Sequence, residues 1–456
     1  MRRKANKTNI LEGSISKGLF KLALPVVLTS LISIGYSLTD TWFIGKYLGD
    51  KYVSAVAAGA FFINFGMCFC NIPKIGAQVL VAQSIGARKI TTARKYVRTA
   101  LYLCVAFGLM YCAFVMVFHN YLIKVIKVQD PVIVSAANQF LMISAVGFVF
   151  LYLVITVSSI INAEGDTLGP FIFNSVGLLL NVLLDFIFIK YFKMGVIGAA
   201  TATVTAQIIA CIGILCYLFR KTSRFRKLRI WRLDPAHYYR RIVKLGIPNG
   251  VNQALFSVFA IILAGMIASI NETALGVQRV GIQFEAFSWN ISIGLASAIS
   301  AFVGQNYGAR NLERLKAGYF IGLKWIVSIG FVISAVFIFG GKYLYGFFFE
   351  NPETIAMGQD YLRILGFSQM FMCAEITTTG AFNGVGRTLQ PTVNSVAVTS
   401  LRIPLAYILT LLMGLTGIWW SISGTSILKG IISVAWFLWT LRKIKNSGEM
   451  LKELAA

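Results

Sequence analysis

Asn162-Ala163-Glu164-Gly165-Asp166-Thr167-Leu168-Gly169-Pro170 comes back as Asn383-Gly384-Val385-Gly386-Arg387-Thr388-Leu389-Gln390-Pro391 later in the same 456-residue chain. Three more pairs keep the same order. Lys21-Leu22-Ala23-Leu24-Pro25 answers Lys244-Leu245-Gly246-Ile247-Pro248, Gln83-Ser84-Ile85-Gly86-Ala87-Arg88 answers Gln305-Asn306-Tyr307-Gly308-Ala309-Arg310, and Gly195-Val196-Ile197-Gly198 answers Gly414-Leu415-Thr416-Gly417. In chain order the first residues of these pairs lie 223, 222, 221 and 219 positions apart. One such match is noise; four in register define a unit of about half the chain, present twice.

Each unit is a string of apolar spans. Hydrophobic residues make up 57% of the chain and charged residues 13%, with a mean hydropathy of +0.74. Soluble domains carry about a quarter charged residues, so lipid must solvate most of this apolar surface. Only helices of about 20 residues, or closed barrels, satisfy their backbone in hydrocarbon. Twelve spans are expected, near 18–45, 53–82, 98–119, 132–161, 170–190, 195–219, 242–270, 274–304, 317–340, 355–385, 389–412 and 417–440. Six fall in each repeat, so both repeats enter the membrane in the same orientation. The expected fold is an all-α integral membrane protein, with twelve transmembrane helices in two parallel-repeat six-helix bundles and a central cavity at their seam. The expected domains are an N-terminal bundle over 1–219, a basic linker over 220–241, and a C-terminal bundle with a short tail over 242–456.

The net charge of +25 is explained by where it sits. Basic residues crowd alternate connections: Arg2, Arg3, Lys4 and Lys7; Arg88, Lys89, Arg94 and Lys95; Arg220, Lys221, Arg224, Arg226, Lys227, Arg229 and Arg232; Arg310, Arg314 and Lys316; Arg442, Lys443 and Lys445. The opposite connections are short and nearly neutral. The positive-inside rule then places both termini and the linker in the cytoplasm of a multi-pass cell-membrane protein. Topology alone accounts for this pattern, with contact to anionic headgroups as a second reading of the linker; nucleic acid is not an expected partner. The N-terminal tail is too long, and its apolar stretch too interrupted, for a cleaved signal peptide.

Enzyme classes find little footing. The seven cysteines, Cys68, Cys70, Cys104, Cys112, Cys211, Cys216 and Cys373, all lie inside spans without zinc spacing. His119 and His237 share no partner. There is no phosphate-binding loop, dinucleotide fingerprint or nucleophile–base pattern, so neither an ATP-driven pump nor an intramembrane enzyme is indicated. A passive channel is the further alternative.

Charges inside the spans are the informative exception, because a carboxylate in a membrane helix is costly and marks function by default. Asp40 lies deep in span one and Asp185 in span five. Asn174, Asn181 and Asp185 share one helical face, and span six adds Thr201, Thr203, Thr205 and Gln207. Asp40 maps onto Leu263 in the second repeat and Asp185 onto Ala406, so the oxygen cluster belongs to the first repeat only. Interhelical hydrogen bonding explains Asn174 or Thr205; it explains two carboxylates poorly. The alternative is a site for a hard cation or a proton. The second repeat carries Arg279, Glu285, Glu375, Arg402 and Lys429; ion pairing in place, for instance Arg402 with Glu375, competes evenly with substrate contact. Neither Asp40 nor Asp185 has an obvious Arg or Lys partner in the same half of the chain apart from Lys74 in span two.

With these residues in hand the chain resembles the multidrug and toxic compound extrusion (MATE) family of antiporters. The resemblance rests on Asp40-Thr41-Trp42-Phe43-Ile44-Gly45, on the Gly-Ala segments after spans two and eight, and on the Asn-x-x-Gly-x-Thr-x-x-Pro segments before spans five and eleven. It is nearest to the branch related to the DNA-damage-inducible F proteins and to archaeal members. The resemblance implies export of small organic, often cationic, compounds in exchange for sodium or protons by alternating access, with no other cofactor. Pro25 removes a backbone hydrogen bond in span one, which makes it a place to bend or, equally, a static kink. Carried over from archaeal relatives, the cation or proton site comprises Asp40, Asn181, Asp185 and Thr203, with Thr201 a near alternative. Tyr36, Asn174, Gln253, Glu285 and Glu375 are further candidates for substrate contact or coupling. The norfloxacin-exporting branch places acids on spans seven and ten; here span seven offers only Gln253, and Glu375 is an approximate match. A monomer is expected. The competing transporter reading is a lipid-linked oligosaccharide flippase, which requires Lys74, Arg279, Arg402 and Lys429 to point inward.

Overall fold

The computed structural model describes residues 10–125, 130–220 and 223–447. Arg2, Arg3, Lys4, Lys7 and Lys221 lie outside the described residues. Among those described, the chain is all helix: α1 Ile15–Leu48, α2 Asp50–Gly86, α3 Ile90–Val125, α4 Pro131–Ala163, α5 Leu168–Asp185 running into a π-helical turn Phe186–Tyr191, α6 Gly195–Leu218, α7 Ala236–Ile270, α8 Glu272–Gly308, α9 Leu312–Gly346, α10 Pro352–Gly384, α11 Leu389–Met413 and α12 Leu415–Ser447. Eleven of these are long and apolar enough to cross a membrane.

Three of the four duplicated motifs lie at turns between helices, where both copies adopt the same backbone conformation, while the Lys21–Pro25 and Lys244–Pro248 pair lies within α1 and α7. Gly165 and Gly386 close α4 and α10 with φ of +92° and +82°, the left-handed region that suits glycine. Their amides bond back to the carbonyls of Asn162 and Asn383, at 3.0 and 2.8 Å. Arg88 and Arg310 both sit at φ +59° after α2 and α8, each donating its amide three residues back, to Ile85 and Tyr307. The starts match as well. Asp130 caps α4 through the Val132 amide and Asn351 caps α10 through the Glu353 amide, both at 2.9 Å, with Pro131 and Pro352 opening the helices.

α4 and α10, each 33 residues long, are the central helices of the repeats. α4 packs on α2, α3 and α6; α10 packs on α8, α9 and α12. This explains why α10 falls outside the apolar set: Glu375, Gln369, Thr377 and Thr378 are buried among protein side chains rather than facing lipid. Small residues make the close packing possible. A methyl group at Gly380 would strike the Ala296 backbone of α8, and one at Gly430 would meet the Phe371 carbonyl of α10.

The chain divides into two compact units. One is Leu28–Gly250; the other joins Ile10–Val27 to the chain from Val251 onward. The division falls within α1 and α7, two residues after the repeat-related Pro25 and Pro248. The basic stretch 220–241 lies within the first unit and is tied down there. Asp166 takes Arg220 and the Tyr217 hydroxyl, Glu164 takes Arg224, and Arg98 forms a buried fork with Asp234. In the second unit, Arg314 of α9 donates to the carbonyls of Ile10, Glu12 and Gly13, at 2.8–2.9 Å, anchoring the segment that enters α1.

Candidate functional site

The first unit brings Asp40 and Asp185 together. Tyr36 and Asp40 are one helical turn apart on α1, and Asn181 and Asp185 one turn apart on α5, so each pair shares a face. The two carboxyl groups are immediate neighbours. The Tyr36 hydroxyl stands beside both of them and beside Thr203 of α6. Thr203 donates to the Ala199 carbonyl at 3.1 Å; Thr201, the near alternative, donates to Ile197 in the same manner and is not among the residues around Tyr36. Asp185 and Asn181 are buried and Asp40 is half-buried.

What distinguishes this cluster from interhelical bonding is what it lacks. Asp40 Oδ1, both Asp185 oxygens and Asn181 Nδ2 are buried with no hydrogen-bond partner among the described residues. No basic side chain pairs with either acid there. Buried polar atoms are normally satisfied, and two adjacent carboxylates repel unless a positive charge is shared between them. The donor set of two carboxyls, a phenol, an amide and a hydroxyl is all hard oxygen and nitrogen, suited to a small hard cation or a proton.

Beyond the acids the site is closed by hydrocarbon. Phe43 and Ile44, about one turn past Asp40, cluster with Phe186 and Ile189 past Asp185 and with Ala199, one turn from Thr203. The π turn begins at the residue after Asp185. Single π turns interrupt α-helices frequently at functional sites; here the wider turn carries Phe186 and Ile189 onto the Phe43 side directly behind the carboxylate. Nothing in the apolar pattern of 170–190 signals this turn. The part played by Tyr36 was legible, since it precedes Asp40 by four residues.

The other candidates are elsewhere. Asn174 donates to Ser158 Oγ of α4 at 3.1 Å and to its own helix at the Pro170 carbonyl, at 2.8 Å, which is interhelical bonding. Gln253 is half-buried on α7, its carbonyl accepting from Ser257. In the second unit the ion pairing differs from expectation. Glu375 faces Lys429 at 3.6 Å, while Arg402 donates to Thr425, at 2.9 Å, and Ser426, at 3.1 Å, on α12. Glu285 accepts from Tyr361 at 2.7 Å, with Gln369 beside it. Arg279 is exposed, and Lys74 is half-buried without an ion pair among the described residues.

The repeat makes the asymmetry explicit. Leu263 and Ala406, the counterparts of Asp40 and Asp185, fall in one apolar cluster. Arg402 occupies the position that the 221-residue offset assigns to Asn181. The second unit fills the equivalent place with hydrocarbon and a fixed guanidinium; the first leaves it acidic and unneutralised.

Among the described residues, twelve α-helices, a duplicated six-helix plan and an acid pair without a basic partner within membrane helices define an integral membrane transporter. The chain belongs to the MatE family: the family's sequence model matches it twice, over residues 25–187 and 248–408, once in each repeat. It is 27% identical, over 96% of both chains, to a Thermotoga maritima protein named "Probable multidrug resistance protein NorM". It is 22% identical, over 90% of both chains, to the "Multidrug export protein MepA" of Staphylococcus haemolyticus. The structure of a multidrug resistance MATE family transporter of the MOP superfamily, in an outward-facing conformation, superposes with a TM-score of 0.90 at 21% identity, over 97% of this chain and 99% of that one.

Proposed function

We propose that this protein is a secondary active antiporter that exports small organic compounds across the cell membrane, coupled to sodium or proton entry at Asp40, Asn181, Asp185 and Thr203. The observation that carries the reading is the unpartnered Asp40–Asp185 pair beside Tyr36. The family membership and the export and resistance names of the relatives supply the direction and the substrate class.

Coupling requires the ion and the substrate to favour different states, since a ligand that binds both equally shifts nothing. With the pair neutralised by its ion, one state is favoured; with the ion released, the repelling carboxylates favour the other. One charge crossing 100 mV supplies about 2.3 kcal/mol, a roughly fiftyfold gradient for a neutral substrate. The whole acid cluster lies in one unit of one chain, which supports a monomer as the working form. The positive-inside pattern supports cytoplasmic termini.

The flippase alternative loses its footing in the charges it required. Two of those four are committed within the second unit: Lys429 pairs with Glu375, and Arg402 is held by the Thr425 and Ser426 hydroxyls. The deciding experiment uses the full chain in sealed vesicles, with fluorescent cationic dyes and an imposed gradient. Dye flux driven by sodium or by protons, and indifferent to ATP, is the expected result; flux that ignores both ion gradients overturns the reading.

A further inference from the structure

The segment between α6 and α7 exposes what a soluble loop normally hides. Trp231 is 97% exposed and Leu233 72% exposed. Arg226, Lys227, Arg229 and Arg232 surround them, all exposed, and none makes an ion pair or side-chain hydrogen bond among the described residues.

This display is rigid. The Arg98 guanidinium forks onto the Asp234 carboxylate and also donates to the Arg229 carbonyl at 2.9 Å. Arg94 donates to the Arg224 carbonyl at 2.8 Å and the Tyr102 hydroxyl to the Ile230 carbonyl at 2.6 Å. The backbone on both sides of Trp231 is therefore fixed to α3, with the buried Phe225 as a further anchor.

The same bonds fix its depth. After Arg98, α3 carries no Asp, Glu, Lys or Arg until Lys124. The uncharged positions 99–123 span about 37 Å, against ~30 Å of hydrocarbon, so Arg98 marks the membrane boundary and Tyr102 lies about one turn inside it. A carbonyl bonded to Tyr102 holds Ile230 and Trp231 at the level of the lipid headgroups, where tryptophan is enriched. Four free cations beside a tryptophan at that level complement anionic phosphate above acyl chains.

We propose that residues 224–233 form a docking surface for anionic phospholipids of the surrounding leaflet, with Trp231 and Leu233 seated at the acyl boundary and Arg226, Lys227, Arg229 and Arg232 on the phosphates. Through Arg98 and Asp234 the bound lipid is tied to α3 and to the entry into α7. This surface is separate from the acid pair and stands whether or not the transport reading holds.

The test reconstitutes the full chain in phosphatidylcholine vesicles with and without phosphatidylglycerol. The difference in emission between wild type and Trp231→Phe isolates Trp231. It should be quenched by lipids brominated near the carbonyl end of the chain, and more strongly when phosphatidylglycerol is present. Arg232→Gln should lower the retention of phosphatidylglycerol over phosphatidylcholine on the purified protein by about fivefold, and high salt should have the same effect. Trp231 emission quenched by aqueous iodide and untouched by brominated lipid overturns the proposal. So does unchanged phosphatidylglycerol retention in a folded Arg226→Gln/Lys227→Gln/Arg229→Gln/Arg232→Gln variant, or an acidic soluble protein that protects Trp231 in place of lipid.

Discussion

Asp185→Asn removes one charge and keeps the shape of the side chain. Asp185 and Asp40 are neighbours with no basic partner among the described residues. Two like charges about 4 Å apart cost ~4 kcal/mol at an effective permittivity of 20. That repulsion is what a bound cation relieves, so abolishing it weakens cation binding by up to about a thousandfold. The new amide also has an acceptor to hand in the free Asp40 Oδ1. The variant is therefore expected to fold and to melt at a higher temperature than the ion-free wild type. A cation at 100 times its Kd stabilises the wild type by about 2.7 kcal/mol, visible as a rising melting midpoint. The variant's midpoint should not respond. The assay is intrinsic-fluorescence melting of purified protein across a sodium titration and, separately, a pH series; whichever lifts the wild-type midpoint is the coupling ion. Dye flux in vesicles should lose its dependence on that gradient. A variant that keeps both the wild-type thermal response and gradient-driven flux refutes the assignment, and Asp40→Asn should give the same pair of losses.

Glu375→Gln leaves Lys429 buried beside a neutral amide and should cost about 3 kcal/mol of stability, largely restored by adding Lys429→Met; recovery of transport as well as melting temperature in the double variant would mean that the pair is structural and not a substrate contact. Arg98→Leu strands the buried Asp234 and frees the backbone around Trp231, so trypsin should cut within 224–232 at least tenfold faster than in the wild type, while the helices stay protected.

The duplicated plan was legible because it is written largely in turns, with the intrahelical Pro25 and Pro248 as the remaining pair. Gly165 and Gly386 hold the left-handed backbone that favours glycine, and Arg88 and Arg310 share φ +59°, so each pair of turns has the same conformation in both repeats. The caps Asp130 and Asn351 carried the same information but look like ordinary polar residues between spans. The acid site was legible for a different reason. Lipid offers no water to a carboxylate, so Asp40 and Asp185 needed an explanation wherever they sat. The pairing in the second unit was not legible: Arg402 and Lys429 are both long, and which of them meets Glu375 depends on the rotation of α11 and α12 about α10.

From the chain alone came the number of spans, the repetition, and the presence of two acids and their oxygen-bearing neighbours in the first half, because hydropathy, turn conformation and the cost of intramembrane charge are local properties of sequence. Tertiary structure alone decided that the two acids are neighbours, that their oxygens are left without partners among the described residues, that a π turn begins directly after Asp185, and that Tyr102 and Arg98 hold the backbone beside Trp231. These depend on how far each helix is rotated and slid against its neighbours, which is set by the packing of whole faces and not by any residue's own preference.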